Sequence, residues 1–91
     1  MRGLSTLVAE LLGTFFFVLS IFASAGNPYI VGAALALVLL LVGGMSGGFA
    51  NPAVAFAMFL KGAISNMEMF YYIAAQLAGA AGAVYAFRAV Q

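Results

Sequence analysis

Residues 11–60 run for fifty positions without one Asp, Glu, Lys, Arg or His. Water could not dissolve the surface that such a run presents, and a soluble domain keeps about a quarter of its residues charged where this chain has 5%. The medium that accepts it is hydrocarbon. A membrane-crossing helix takes about 20 mostly apolar residues, so the 91 residues allow three crossings and one shorter insertion. The chain therefore reads as an all-α membrane protein built as one unit, without room for a second domain.

The rest of the composition narrows the function. A net charge of +1 gives no reason to propose nucleic acid or an acidic substrate as partner. Cysteine and histidine are both absent, which removes disulfides, thiolate nucleophiles, the usual zinc ligands and the commonest general base. No catalytic residue, metal site or cofactor is expected, and the chain does not read as an enzyme. Its Met and Phe residues read as packing or lipid-facing surface rather than as the lining of a cofactor pocket.

Along the chain, the first apolar segment covers residues 4–25, long enough to cross as a helix. Arg2 and the small residues Ala23-Ser24-Ala25 also resemble a cleavable leader, but Glu10 interrupts the apolar core and the segment exceeds the length usual there. Gly26-Asn27-Pro28 then supplies a stop, a cap and a first helical residue. The second segment, residues 28–45, ends in Gly43-Gly44-Met45-Ser46-Gly47-Gly48, a cluster that favours non-helical backbone. Apolar sequence resumes for only the nine residues 52–60 before Lys61-Gly62. Nine residues reach about half the hydrocarbon thickness, so 46–60 is expected to dip in and return as a re-entrant loop and half-helix. The third crossing, residues 66–88, opens on Ser65-Asn66-Met67-Glu68, which has capping-box spacing. Two rows of small residues, Ala75/Gly79/Ala83 and Ala78/Gly82/Ala86, predict close helix packing on adjacent faces, with Gly13 as a further small residue on the first helix.

Asn51-Pro52-Ala53, at the head of the half-helix, carries the most chemistry. Asn51 caps, Pro52 takes the position that needs no N–H, and the Asn amide N–H2 stays free to donate to a solute. The helix aims the positive end of its dipole at the bilayer centre, which disfavours cations and attracts an oxygen lone pair. Lys61 complements the opposite end. Glu10 is a carboxyl within a membrane helix and so a functional candidate, with Thr6, Gly13 and Thr14 nearby.

These residues resemble the aquaporin, or major intrinsic protein, family. Three stretches carry the resemblance in order: Ala9-Glu10-Leu11-Leu12-Gly13-Thr14, Ser46-Gly47-Gly48-Phe49-Ala50-Asn51-Pro52-Ala53-Val54, and Tyr72-Ile73-Ala74-Ala75-Gln76-Leu77-Ala78-Gly79-Ala80. The resemblance implies half of a pore that the family builds from six crossings and two half-helices in two inverted halves. It implies a solute path along Gly47, Gly48, Phe49, Asn51, Pro52 and Ala53, with Val54, Val31 and Leu39 near the constrictions. It also implies that Glu10 and Gln76 hold the loop backbone open. Departures are the missing second half, Val54 where the family's second half has arginine, Phe49 where a histidine is common, and no filter histidine at all.

The expected function is a passive channel for water or small neutral solutes such as glycerol, its partners being the bilayer, the solute and a second half. Arg2 and Lys61 on one face against Arg88 on the other specify orientation weakly, so two antiparallel copies could restore the inverted repeat. Arg2 and Arg88 otherwise read as interface anchors. Other readings at this point are a holin-like permeabilising protein, a small dual-topology proton-coupled transporter using Glu10, and an inactive fragment.

Overall fold

The computed structural model describes residues 3–91; Arg2 lies outside them. Four helices follow one another: α1 (Leu4–Ala23), α2 (Pro28–Ser46), α3 (Pro52–Lys61) and α4 (Asn66–Ala89). Three of them, α1, α2 and α4, are long and apolar enough to cross a membrane, and the ten-residue α3 is not. The longest dimension is 40 Å, close to the thickness of a bilayer with its headgroups, about 40–45 Å.

Local chemistry sets the helix ends. After Ala23 the chain turns through Ala25 and Gly26, at φ 53° and 75°, so α1 stops two residues earlier than the apolar run suggests. The Asn27 Oδ1 then accepts from the N–H groups of Tyr29 and Ile30 at 3.0 and 3.2 Å, with Pro28 opening α2. The glycine cluster does not break the helix where it begins. Gly43 and Gly44 stay helical, and the Gly47 N–H still donates to the Gly43 carbonyl at 2.8 Å. The break falls at Gly47 and Gly48, φ 88° and 66°, conformations that glycine adopts without a Cβ penalty. Asn51 caps α3 by accepting from the Ala53 N–H at 2.7 Å, and Gly62 at φ 85° ends it after Lys61. The Ser65/Glu68 capping box opens α4, each side chain bonding the other's backbone N–H.

Helix α1 packs against both α2 and α4, and α3 packs against α4. The buried stripe of α1, Thr6, Ala9, Glu10, Gly13 and Thr14, recurs at helical spacing and is mostly polar or small. Opposite it on α4 lie Tyr72, Ala75, Gln76, Gly79 and Ala83, all buried. Large apolar side chains such as Phe16, Leu37, Leu40, Leu41 and Leu77 point outward. An interior of small residues with several polar side chains, under an exterior of large apolar ones, suits a chain whose surroundings are lipid.

Only one of the two small-residue rows is a backbone seam. A Cβ at Gly79 would overlap the Leu11 carbonyl oxygen and come within 3.1 Å of the Phe15 N. In the second row Ala78 is exposed and Gly82 and Ala86 are half-buried, and a Cβ on Gly82 would meet only the Phe15 ring, at 3.4 Å. At Gly82 the neighbour across the helix contact is the Phe15 ring rather than the α1 backbone. Gly13 serves the other side of α1, where a Cβ would lie 3.0 Å from Val38 and 3.3 Å from Val42 of α2.

Candidate functional site

The loop between α2 and α3 hangs on one side chain. Glu10, 1% exposed, accepts four hydrogen bonds. Its Oε2 takes the Ser46 hydroxyl at 2.5 Å and the Phe49 N–H at 3.1 Å. Its Oε1 takes the Ala50 N–H at 2.8 Å and the Gln76 amide at 2.9 Å. Two acceptor oxygens with four donors satisfy a carboxylate well, which is what permits this acid to sit in an apolar medium.

Other groups tie the same loop from both sides. The Ser46 hydroxyl also accepts from the Gly48 N–H at 3.1 Å, while the Tyr72 hydroxyl donates to the Ser46 carbonyl at 2.6 Å. Thr6 donates to the Met45 carbonyl at 3.2 Å. The Phe49 ring stacks on Tyr72 with centroids 4.6 Å apart and planes 25° from parallel. Together these contacts account for the N–H groups of Gly48, Phe49 and Ala50 and leave the loop carbonyls differently placed. Among the described residues, no hydrogen bond reaches the carbonyl oxygens of Gly47, Gly48, Phe49 or Ala50.

Ala50 is held at φ 56°, in the left-handed region that costs an L-residue about 1–2 kcal/mol. It is 5% exposed, and its N–H is the one bonded to Glu10 Oε1. We expect Ala50→Gly to change stability by no more than about 1 kcal/mol, because relief of the backbone offsets the lost methyl burial. Ala50→Val, branched at a position with φ > 0 and without room, should destabilise by about 2–3 kcal/mol. Denaturant unfolding of the two variants in micelles checks the order.

Asn51 is exposed, and its amide N–H2 makes no hydrogen bond among the described residues. Pro52 and Val54 are half-buried and Ala53 is exposed, all on the first turn of α3, at the positive end of its dipole. Val31 on α2 is half-buried; Leu39, 42% exposed, reaches under the loop, 2.7 Å from where a Gly48 Cβ would stand. A cleft of about 310 Å³ opens at the α2 end of the loop, between Thr6, residues 43–47 and Tyr72.

The structure departs from the expected role of Gln76. It does not reach the loop backbone; its amide donates to Glu10, which accepts the Phe49 and Ala50 N–H groups, while Ser46 accepts that of Gly48. The reason is donor-acceptor balance, since those N–H groups are already paired and the carboxylate still has a free lone pair for a donor. Sequence reasoning also passed over Ser46 and Tyr72 as loop ties. A hydroxyl two residues before the left-handed Gly48 and a tyrosine one turn before Gln76 were the available signals. No group of His, Cys, Asp or Glu among the described residues could hold a metal ion.

With this geometry in view, the similarity to known proteins has a structural meaning. The family model described as Major intrinsic protein matches residues 1–91. The chain belongs to the major intrinsic protein family. It is 38% identical to Aquaporin-5 of Homo sapiens over 96 residues, covering 90% of this chain and 36% of that protein. Over 49 residues it is 49% identical to Lens fiber major intrinsic protein of Rattus norvegicus, 54% of this chain and 19% of that one. Aquaporin A of Dictyostelium discoideum is 36% identical over 86 residues, 78% of this chain and 31% of that protein. The chain thus spans about a third or less of the length of these relatives. No solved structure matches. Family membership together with three apolar spans makes this a multi-pass membrane protein, and three crossings with one short helix are consistent with half an aquaporin fold. The family is one of channels rather than enzymes.

Proposed function

We propose that this major intrinsic protein forms a passive path for water or small neutral solutes such as glycerol, completed by a second half. The observation that carries the reading is the pinned loop: Glu10 and Ser46 take the N–H groups of Gly48, Phe49 and Ala50, while among the described residues the carbonyls of Gly47, Gly48 and Phe49 keep no partner, next to the free Asn51 amide at the head of α3. Acceptors in a row with donors at the end make a ladder for a hydrogen-bonding solute. A cation on that ladder meets the positive end of α3, and low dielectric strengthens the repulsion. Val54, Val31 and Leu39, placed near the constrictions, make them apolar and uncharged, which favours small neutral solutes over strict selection of water. Irregular backbone at membrane depth must be covered by protein or line a polar cavity, so the open carbonyls argue for a partner over a lone chain in lipid. Two antiparallel copies supply it, placing both Asn51 amides at the midplane. The four donors on Glu10 support a positioning role over proton exchange, since each oxygen is already committed twice.

Asn51→Asp tests the path. Aspartate caps a helix as well as asparagine does, so the fold is preserved while the solute-facing donor becomes a charged acceptor. Glycerol and water flux into reconstituted vesicles, followed by stopped-flow light scattering, should fall about tenfold or more, the equivalent of roughly 1.4 kcal/mol on the barrier. Unchanged flux with folded protein overturns the path.

A further inference from the structure

The turn from α2 into the loop runs through Ser46, Gly47, Gly48 and Phe49, and its peptide planes are held by different groups. A trans peptide is flat, so fixing its N–H fixes the direction of the C=O on its opposite edge. The planes that carry the Gly47, Gly48 and Phe49 carbonyls have their N–H ends on the Ser46 hydroxyl and the two Glu10 oxygens. The plane before them, between Ser46 and Gly47, is the root from which the others hang. Its N–H donates to the Gly43 carbonyl at 2.8 Å, and its carbonyl accepts from the Tyr72 hydroxyl at 2.6 Å.

Tyr72 meets the loop a second time beyond both glycines, where its ring stacks on Phe49 with centroids 4.6 Å apart. One α4 side chain, 5% exposed, thus grips Ser46 and Phe49 and spans Gly47 and Gly48, at φ 88° and 66°. Glycine holds its own dihedrals least well of all residues, so the two ends of the pair decide where its carbonyls point. The Phe49 ring also covers Gly47, where a Cβ would stand 2.7 Å from the ring Cε1. Committed to Tyr72 and Gly47, that ring leaves only the Phe49 carbonyl for a passing solute. Beside the grip there is room to move, because the cleft of about 310 Å³ is bounded by residues 43–47 and by Tyr72 itself.

We propose that Tyr72 and Phe49 form a clasp that fixes the direction of the Gly47 and Gly48 carbonyls and so sets how well the path accepts a polyol relative to water. The proposal rests on the solute path described above and adds the residues that set its selectivity. Water needs a single acceptor at a time. Glycerol, with a hydroxyl on every carbon, needs successive acceptors in fixed directions, and a displaced carbonyl leaves a hydroxyl stripped of water without a partner. Tyr72 touches no solute and is a positioning residue.

Tyr72→Phe removes the hydroxyl and keeps the ring, and Phe49→Leu removes the stack. Stopped-flow light scattering of reconstituted vesicles reads water and glycerol flux on one sample, and unfolded molecules add to neither, so their ratio is independent of yield. The glycerol-to-water ratio should fall about threefold or more in both variants, the scale of one weakened hydrogen bond. The double variant should fall no further than the lower single, as for two residues acting as one unit, and Phe49→Tyr, which keeps a stacking ring, should keep the native ratio. Tyr72→Phe, the milder change, decides alone where Phe49→Leu does not reconstitute. A native ratio in Tyr72→Phe and Phe49→Leu, with both fluxes lowered equally, is what a merely structural pair would give; it overturns the clasp and leaves the path standing. A rise in glycerol flux in Phe49→Leu overturns it too, since the ring would then have obstructed the path, as would independent falls that multiply in the double variant. Native protein that speeds neither solute beyond protein-free vesicles overturns path and clasp together.

Discussion

Glu10→Ala should unfold the loop before it affects anything else. The substitution strands the N–H groups of Phe49 and Ala50 and the Gln76 amide, all of which now end on the carboxylate, and it releases Ser46 from its 2.5 Å bond. A buried donor left without a partner costs about 1–3 kcal/mol. Rearrangement recovers part of that, so the expected net loss is about 3–5 kcal/mol by urea or SDS unfolding in micelles, with flux abolished because the row of carbonyls no longer holds its direction. Glu10→Gln separates geometry from charge. Its amide oxygen can replace Oε1 toward Ala50 and Gln76, and its N–H2 can donate to a rotated Ser46 hydroxyl, but the Phe49 N–H then faces a donor. One stranded group predicts a loss of about 1–3 kcal/mol and reduced but measurable flux. If Glu10→Gln folded as well as the native chain yet lost all transport, or if transport followed a proton gradient, the carboxyl would be a proton site and not a brace.

The extent to which the sequence foretold this arrangement depends on how far apart the partners lie. The helices were legible because their signals are local: apolar length, the Asn27-Pro28 start, the Ser65/Glu68 box, and a half-helix too short to cross. The exact break in the glycine cluster was not, because Gly43 and Gly44 are permitted in a helix whose next N–H still finds a carbonyl; only Gly47 and Gly48 take left-handed backbone. A membrane acid at Glu10 announced a polar partner, and the family resemblance pointed to the loop. That Gln76 would donate to the acid rather than to the backbone depends on counting donors across three elements 36 to 66 residues apart. The two small rows on α4 look alike in sequence, and what separates them is the Phe15 ring on the neighbouring helix.

That difference between the rows leads to the second large effect. Gly79→Ala adds one methyl, on α4, where the α1 backbone already stands: the Leu11 carbonyl oxygen overlaps the new Cβ, and the Phe15 N lies 3.1 Å from it. Backbone cannot swing aside as a side-chain tip can, so α1 and α4 must separate along their whole seam. Overpacking of this kind costs about 1–3 kcal/mol in a protein interior, and the upper end is expected here because alanine at this site lifts the Glu10–Gln76 bond, one turn away, out of range. Gly82→Ala, three residues on, supplies the control. Its methyl meets only the edge of the Phe15 ring at 3.4 Å, ordinary contact, and alanine improves helix propensity over glycine by about 1 kcal/mol. The pair should therefore move in opposite directions: unfolding of Gly79→Ala at lower denaturant with reduced flux, and Gly82→Ala neutral or slightly stabilised with native flux. Equal behaviour of the two variants would mean that α1 and α4 are not in backbone contact at Gly79, and that the brace on the loop is positioned by something other than this seam.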